Sequence, residues 1–423
     1  MFDAASSFQA LWNNSGLTAA VVLVALTSYM VLVRRLRYRR MMKIEAPFAP
    51  GKRRLSSMTV KEAHEIMTEL QELEFPYSFA KARTIALLKS GGIPSMSKLF
   101  AATGQNTKRT AGKRGVDTEI LLREAQAQCR DSDRYTAAVA RMNYLHARYR
   151  RAGKITDADL LHTLGDGPTE IMHVVEDEEW RPFTDVEKCA LGIYHKTLGE
   201  DMGIPFDQLP SSADGWKNGL HFAMELRDWT VQYEKEVAKP TKTNDQFVRV
   251  YVDSAMSSFP GFAVTFVRKL LGADLSDVMR TSLSLESPGP ILSTLLATIT
   301  ASRKLYLRYL ALPRSSSDAV KLVQVTPNPG TNLYNFERQG LEPWYVPATF
   351  LSNWGPEGWL VKALGGKVPG ERYDSGGYDL MTIGPEPQKG KGIEDMRSDI
   401  EVIKAKGVAT CPFSQANFGN LKT

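Results

Sequence analysis

The sequence predicts an all-α fold, in which one N-terminal transmembrane helix precedes a large globular helical domain. Three observations predict it. Residues 16–33 contain no charged side chain, helix-capping patterns recur along the rest of the chain, and no alternation of apolar and polar residues repeats as it does in β-sheets. The 423 residues, 43% hydrophobic and 24% charged, are enough to bury a sizeable core.

Residues 16–33 are predicted to be a transmembrane helix. At about 1.5 Å per residue this run nearly crosses a hydrocarbon core of about 30 Å, and Trp12 and Tyr38 flank it as interfacial anchors. A cleaved signal peptide would have basic residues before its apolar run, and residues 1–15 contain no Lys or Arg. The positive-inside rule therefore places residues 1–15 in the lumen and the remainder in the cytosol. In a eukaryotic cell, the default location is the endoplasmic reticulum membrane.

The positive charge of the chain lies beside this helix. Residues 34–54 contain nine basic residues and one acid, so this segment has a charge of +8, and the remainder of the +6 chain has a charge of −2. Because a nucleic-acid-binding protein needs basic side chains spread over a folded face, we expect no nucleic-acid partner. Residues 34–58 are predicted to be a basic juxtamembrane linker, and residues 59–423 a cytosolic helical domain.

Helix signals follow one another through this domain. Capping boxes at Thr59 and Thr184 begin two helices. Residues 133–152 have a helical pattern, and Thr156 caps the next helix, which Gly165, Gly167 and Pro168 are predicted to interrupt. The last hundred residues are rich in Pro, Gly and Trp and are expected to wrap around the helical body. Two apolar stretches, 259–271 and 290–300, are too short to span a bilayer; they fit core helices or a membrane-facing entrance for a lipid-like substrate.

The chain has six histidines and three cysteines, without a C-x-x-C pair or a common nucleotide-binding or protease motif. His146 falls on the apolar face of the helix over 133–152, and Arg141 lies at the edge of that face. A haem site needs such a histidine, apolar neighbours and an arginine for a propionate. A buried, hydrogen-bonded histidine is the alternative interpretation. His162 and His173 are further ligand candidates, whereas the remaining histidines are predicted to be solvated: His64, His195 and His221.

The region from Arg141 to Asn244 resembles the family of rubber oxygenases (latex clearing proteins) and MpaB-type oxygenases, in its fungal branch. The matching residues, in order, are Arg141, Asn143, His146, Tyr149, Asp159, Leu161, Thr163, Leu164, Glu170, Glu179, Trp180, Arg181, Glu187, Ala190, Lys196, Gly199, Met202, Ile204, Trp229, Tyr233, Glu234, Pro240 and Asn244. The sequence departs from the fungal pattern at His162, where relatives usually have Tyr, at His173 and at His195.

The resemblance implies a membrane-bound oxygenase that uses haem b and dioxygen. The expected reaction is oxidative cleavage of a C=C double bond in the prenyl (farnesyl) side chain of a meroterpenoid or phthalide, as in mycophenolic acid biosynthesis. The expected partners are the prenylated substrate, dioxygen and the lipid bilayer. Arg141 and His146 are the predicted catalytic residues. His146 is the predicted iron ligand with His173 as the alternative, and Arg141, His173 and His162 complete the predicted cofactor site.

Two other functions fit the sequence. A non-haem iron oxygenase needs two histidines and a carboxylate, which His146, His173 and Glu170 could supply. A non-enzymatic scaffold or lipid-binding module anchored in the membrane needs neither metal nor chromophore. The absorption spectrum and metal content of the purified protein distinguish these alternatives.

Overall fold

The structure, a computed structural model, describes residues 15–104, 107, 109–253, 261–339 and 342–413. Sixteen α-helices and no β-strand lie within these ranges, which confirms the all-α prediction. The first eight helices are α1 (Ser15–Glu45), α2 (Val60–Glu69), α3 (Pro76–Ser90), α4 (Pro94–Ala102), α5 (Ala111–Ala127), α6 (Asp133–Arg151), α7 (Asp157–Glu178) and α8 (Asp185–Asp201). The others are α9 (Gly219–Val237), α10 (Lys242–Val248), α11 (Gly261–Ala273), α12 (Asp277–Ser282), α13 (Gly289–Tyr309), α14 (Phe350–Trp354), α15 (Pro356–Ala363) and α16 (Ile393–Lys406).

Three reciprocal capping boxes with an acidic residue at the third helical position begin helices of the body, at Thr59, Thr156 and Thr184. In each box the threonine hydroxyl accepts a hydrogen bond from the backbone N–H three residues later, and the acidic side chain at that position accepts one from the threonine N–H. Such caps satisfy backbone donors that a helix start leaves free and are each worth about 1 kcal/mol. The helix starts predicted at these residues are confirmed.

Helix α8 lies at the centre of the body, with α9 and α2 packed against it. Fourteen of its 17 residues are buried, so α8 has no solvated face. A Cβ atom on Gly192 would lie 1.9 Å from the carbonyl oxygen of Gly219, which shows that α8 and α9 meet backbone to backbone. Around this pair, α3 packs on α7, and α5 and α16 pack on α6. The core is therefore a set of closely packed helices in which glycines set the separation.

Helix α7 differs from the sequence prediction, because it passes through Gly165, Gly167 and Pro168 without interruption. A Cβ atom on Gly165 would lie 2.1 Å from Oγ1 of Thr230, so this glycine lets α9 approach α7 instead of ending the helix. The hydroxyl of Thr169 donates to the Gly165 carbonyl at 2.6 Å. Burial of most of α7 outweighs the unfavourable propensity of glycine and proline inside a helix.

The predicted juxtamembrane linker over residues 34–58 is helical over its first half, because α1 continues without a break from Ser15 to Glu45. Its first half is exposed, long and apolar enough to span a membrane. Its second half packs on the body, where Val33, Arg37 and Ile44 are buried. The Arg37 guanidinium stacks over Trp180 with 5.4 Å between Cζ and the ring centroid. The basic residues after the apolar run thus serve partly as docking contacts.

The C-terminal hundred residues follow the surface of the helical body, as the sequence predicts. Tyr345 donates from its hydroxyl to Oδ1 of Asp117 on α5 at 2.7 Å. Tyr378 donates to Oε1 of Glu124, two turns further along α5, at 2.5 Å. Near the end of the described chain, the Val408 carbonyl accepts the backbone N–H of Lys61. These bonds join the C-terminal segment to helices formed more than 200 residues earlier in the sequence.

Candidate functional site

His146 lies in the last two turns of α6, half-buried on a helix whose start is capped by Ser132. Burial lowers the pKa of His146 to about 4, and the positive charges of Arg150 and Arg114 add to this effect. The imidazole is therefore neutral at physiological pH. A neutral imidazole is the form that ligates a metal, since a ring nitrogen must offer its lone pair.

Neither ring nitrogen of His146 has a hydrogen-bond partner among the residues that the structure describes. Because the side chain is half-buried, its ring nitrogens are open to water or to a ligand. The alternative interpretation from the sequence, a histidine satisfied by a hydrogen bond within the protein, therefore lacks its partner in the described ranges. His146 keeps a free lone pair for a ligand.

Two arginines lie near His146 and give its surroundings a positive potential. Arg114 on α5 stacks over the ring of Phe100, with its Cζ 3.7 Å from the centroid, and donates to the Tyr251 hydroxyl at 3.0 Å. Arg150 is one turn after His146 and donates to the carbonyl of Gly203 at 2.8 Å. Each guanidinium uses only part of its five donors in these contacts. The site therefore combines a neutral nitrogen ligand with cations that suit an anionic group.

Arg141 does not share this site. Arg141 is five positions before His146, and this spacing turns the two side chains about 140° apart around α6. Its side chain is fully buried and donates to backbone carbonyls of the C-terminal segment. The acceptors are the carbonyl oxygens of Ile383 (2.7 Å), Thr382 (3.1 Å), Gln388 (3.0 Å) and Lys391 (3.4 Å). The predicted propionate contact of Arg141 is therefore replaced by a structural role, because its donors already bind these carbonyls.

A second cluster of chemically active side chains lies between α3, α7 and α9. The ammonium of Lys89 is within ion-pair distance of three carboxylates, at 2.8 Å from Asp166, 2.7 Å from Glu170 and 2.6 Å from Glu234. Nε2 of His162 lies 3.0 Å from the same Glu234 oxygen. All five residues are buried. Residues of three helices thus meet in one closed polar cluster.

Burial and charge set the protonation of this cluster. Burial raises the pKa of Asp166 to about 7, although the Lys89 ammonium opposes the rise. Burial acts in the same direction on Glu234, but the His162 hydrogen bond and the Lys89 charge outweigh it, so the pKa of Glu234 is lowered. Nδ1 of His162 has no hydrogen-bond partner among the residues that the structure describes. One carboxyl group of the cluster is therefore near its titration point at neutral pH.

Ligand atoms of His162, Asp166 and Glu234 all lie within 4.8 Å of one another, the only such group of three in the described residues. This set differs from the non-haem iron set of His146, His173 and Glu170 proposed from the sequence. His173 is exposed and faces Asp177, while Glu170 binds Lys89. Because the Lys89 ammonium occupies the space between the carboxylates, a cation is already present there.

The other histidines complete the comparison with the sequence prediction. His195 is buried, contrary to the prediction that it is solvated, because α8 has no solvated face. Its Nδ1 donates to the Leu191 carbonyl at 2.8 Å, and burial lowers its pKa to about 4. His221 is half-buried and accepts a backbone hydrogen bond from Lys217, and burial also lowers the pKa of His64. Neither is fully solvated.

Sequence reasoning missed Lys89 and Arg114. Lys89 lies in a helix without a recognised motif, and only its register, which faces it inward among apolar residues, distinguishes it from a surface lysine. Arg114 belongs to a group of basic residues at 108–114 whose composition predicts a solvated loop. The structure instead places Arg114 inside α5. Charge patterning along a helix could have identified neither without the position of its partners.

The described chain is an all-α body with one apolar N-terminal helix that is long enough to span a membrane. No family-level sequence model matches the chain. The chain is 32% identical over 393 residues to the ER-bound oxygenase mpaB' of Penicillium brevicompactum, covering 92% of this chain and 93% of that protein. It is 33% identical over 374 residues to the ER-bound oxygenase mpaB of the same fungus, covering 88% of both.

A third relative, the ER-bound oxygenase mpaB of Penicillium roqueforti (strain FM164), is 37% identical over 238 residues, which are 56% of this chain and 80% of the relative. The chain therefore belongs to the family of the ER-bound oxygenase MpaB. The resemblance identified from residues 141–244 is confirmed, and the match extends over most of the chain.

Proposed function

We propose that this protein is a haem-b-dependent oxygenase of the endoplasmic reticulum membrane that cleaves a C=C double bond in a prenyl side chain with dioxygen. The observation that carries the proposal is the unpaired, neutral imidazole of His146 in a cationic environment. The names of the relatives support an oxygenase bound to this membrane. Haem, the bond that is cleaved and the prenylated substrate are the parts of the proposal that experiment must test.

The residues around His146 fit a haem group. His146 would hold the iron of a haem through its free lone pair, and Arg114 and Arg150 would offer their remaining donors to the propionate carboxylates. Phe100 and Tyr251 bring aromatic surface to the same place through their contacts with Arg114. Haem b, when bound, supplies the redox chemistry with dioxygen, and the protein supplies binding, orientation and electrostatics.

The anchor gives a physical reason for a prenylated substrate. A farnesyl chain of fifteen carbons partitions into a bilayer, since each buried methylene contributes about 0.8 kcal/mol. An enzyme held at the same membrane by α1 meets this substrate at a raised local concentration. With the basic residues after the apolar run on the cytosolic side, the body faces the cytosol.

The test is the absorption spectrum of the purified full-length protein, with metal analysis. Wild type should show a Soret band and about one iron per chain. His146→Ala should lose the Soret band and the activity, with an unchanged far-ultraviolet circular dichroism spectrum. His173→Ala is the matched control, because this exposed histidine faces only Asp177; it should retain haem. If His146→Ala keeps its Soret band while His173→Ala or His162→Ala is colourless, the ligand assignment is wrong.

A second candidate is a non-haem metal oxygenase at His162, Asp166 and Glu234, which the proximity of their ligand atoms favours. Iron without a Soret band, lost on Glu234→Gln but retained on His146→Ala, would establish it. The Lys89 ammonium argues against this candidate, since a divalent cation would have to displace it. A protein with neither chromophore nor metal would instead be a membrane scaffold or lipid-binding module.

A further inference from the structure

The C-terminal end of α13 exposes a group of large apolar side chains. Leu305, Tyr306, Leu310 and Leu312 are each more than 40% exposed. Surface apolar residues are common when they are scattered, but a contiguous group usually marks a surface that contacts another partner. The position of this group relative to α1 identifies the partner.

The group lies beside the apolar half of α1. The Tyr29 hydroxyl of α1 donates to the Leu310 carbonyl at 2.8 Å. Tyr29 precedes Val33, the last residue of the apolar run, by four positions, which at about 1.5 Å per residue places it about 6 Å inside the end of that run. If residues 16–33 cross a bilayer, Leu310 lies at the same depth. Apolar elements in the interfacial layer penetrate about 5–10 Å, and 6 Å is within this range.

The chain after α13 then returns along α1 toward the body. Nε of Arg37 donates to the Ala311 carbonyl at 2.8 Å, and Nη2 of Arg40 donates to the Arg314 carbonyl at 3.0 Å. The backbone is no longer helical after Leu310, and side chains of α1 satisfy its carbonyl groups there. Non-helical backbone is stable at membrane depth only where its polar groups are satisfied within the protein. Segment 310–314 meets this condition for the carbonyls of Leu310, Ala311 and Arg314.

Two basic residues orient α13 so that its end points at the membrane side of the body. Arg303 donates to the Glu178 carbonyl at 2.7 Å and to Oε1 of Glu179 at 2.8 Å. Lys304 donates to the Asp177 carbonyl at 2.7 Å. These contacts attach α13 to the end of α7, next to the Trp180 ring that packs on Tyr38 of α1. From Arg303 and Lys304, α13 extends about two further turns to the hydrogen bond between Leu310 and Tyr29.

We propose that the end of α13 and segment 310–312 are a second membrane contact, inserted into the leaflet nearest the body beside α1. The partner is the boundary between phospholipid headgroups and acyl chains. This contact goes beyond anchoring by one helix, since it fixes the face of the body that is pressed against the membrane. It rests on α1 crossing the bilayer and does not depend on haem or on the reaction. A second copy of the chain is the rival occupant of the surface.

The experiment measures depth in liposomes with the full-length protein. An environment-sensitive fluorophore is attached at Leu312→Cys in a Cys129→Ser background, where the remaining cysteines are buried. Quenching is recorded with phosphatidylcholine brominated along its acyl chains. Val24→Cys in the apolar run is the reference for the bilayer interior, and Val402→Cys, an exposed apolar position on α16, is the matched control. Circular dichroism verifies that each labelled variant is folded.

We expect brominated lipid to quench the label at position 312 at least twofold, and to leave the label at position 402 unchanged. Equal quenching at 312 and 402 would overturn the proposal. An unquenched label at position 24 would show that α1 does not span the bilayer and would overturn it as well. If the label at position 312 is shielded from water only at high protein-to-lipid ratios, the surface contacts a second copy of the chain and the proposed membrane contact is wrong.

Discussion

The Lys89→Met variant tests whether the buried cluster of Lys89, Asp166, Glu170 and Glu234 stabilises the fold. The substitution keeps a long unbranched side chain and removes an ammonium that lies 2.6–2.8 Å from three carboxylate oxygens. Removing one partner of a buried ion pair typically costs about 3–5 kcal/mol, because the other charge remains buried without compensation. Asp166 escapes part of this cost, since its pKa of about 7 lets it take up a proton.

The assay is thermal unfolding of the detergent-solubilised protein, followed by circular dichroism between pH 5.5 and 8. For a body of roughly 360 residues, the entropy of unfolding is about 0.8 kcal/mol per kelvin, so a loss of 3–5 kcal/mol lowers the melting temperature by about 4–7 °C. The deficit should be largest at pH 8 and should shrink toward pH 5.5, because protonated carboxyl groups no longer need the ammonium.

The matched control is Lys61→Met, in which an exposed lysine outside any ion pair in the described ranges is replaced. Its melting temperature should stay within about 1 °C of wild type, as expected for a surface substitution. The reasoning fails if Lys89→Met melts with wild type across this pH range, or if its deficit grows as the pH falls.

Three further predictions follow from contacts described above. The folded-state pKa of Asp166, about 7, exceeds its unfolded value of 3.8, so this group makes the fold less stable as the pH rises from about 4 to 7. Asp166→Asn should therefore flatten the dependence of the melting temperature on pH in that window. An unchanged slope would contradict the raised pKa. Arg141→Met leaves several carbonyls of the C-terminal segment without donors and should cost about 2–4 kcal/mol, with early protease cleavage near residues 382–391; cleavage unchanged from wild type would argue for a role in the haem site. Deleting residues 1–28 should leave a folded body. Deleting residues 1–40 also removes the buried Val33 and should lower the melting temperature of the body. Equal melting temperatures of the two truncated proteins would show that α1 does not stabilise the body.

The fold was predictable where local chemistry determines it. A capping box such as Thr184 with Glu187 satisfies its own donors, so four residues suffice to place a helix start. The uncharged run over 16–33 is equally local. Pro168 shows the limit of local prediction, because the contact that keeps its helix continuous is with α9, about sixty residues away.

The candidate site was predictable only in part, for the same reason. His146 follows from helical periodicity, since its face is set by neighbours three and four residues away. Arg141 is on the same helix, but its acceptors lie more than 240 residues later, and no pattern in the sequence points to them. The burial of Lys89 and the burial of His195 likewise depend on which helices surround these residues.

The bonds from Arg141 to the C-terminal segment have a consequence for synthesis of the chain. The Ile383 carbonyl that accepts its Nε donor lies 242 residues after it. At a ribosomal rate of about 5–20 residues per second, a nascent chain carries this guanidinium for about 12–50 s before its acceptor exists. During that time α6 cannot bury Arg141 without leaving its guanidinium donors without acceptors. The side of the body formed by α6 therefore closes only after the ribosome has completed nearly the whole protein.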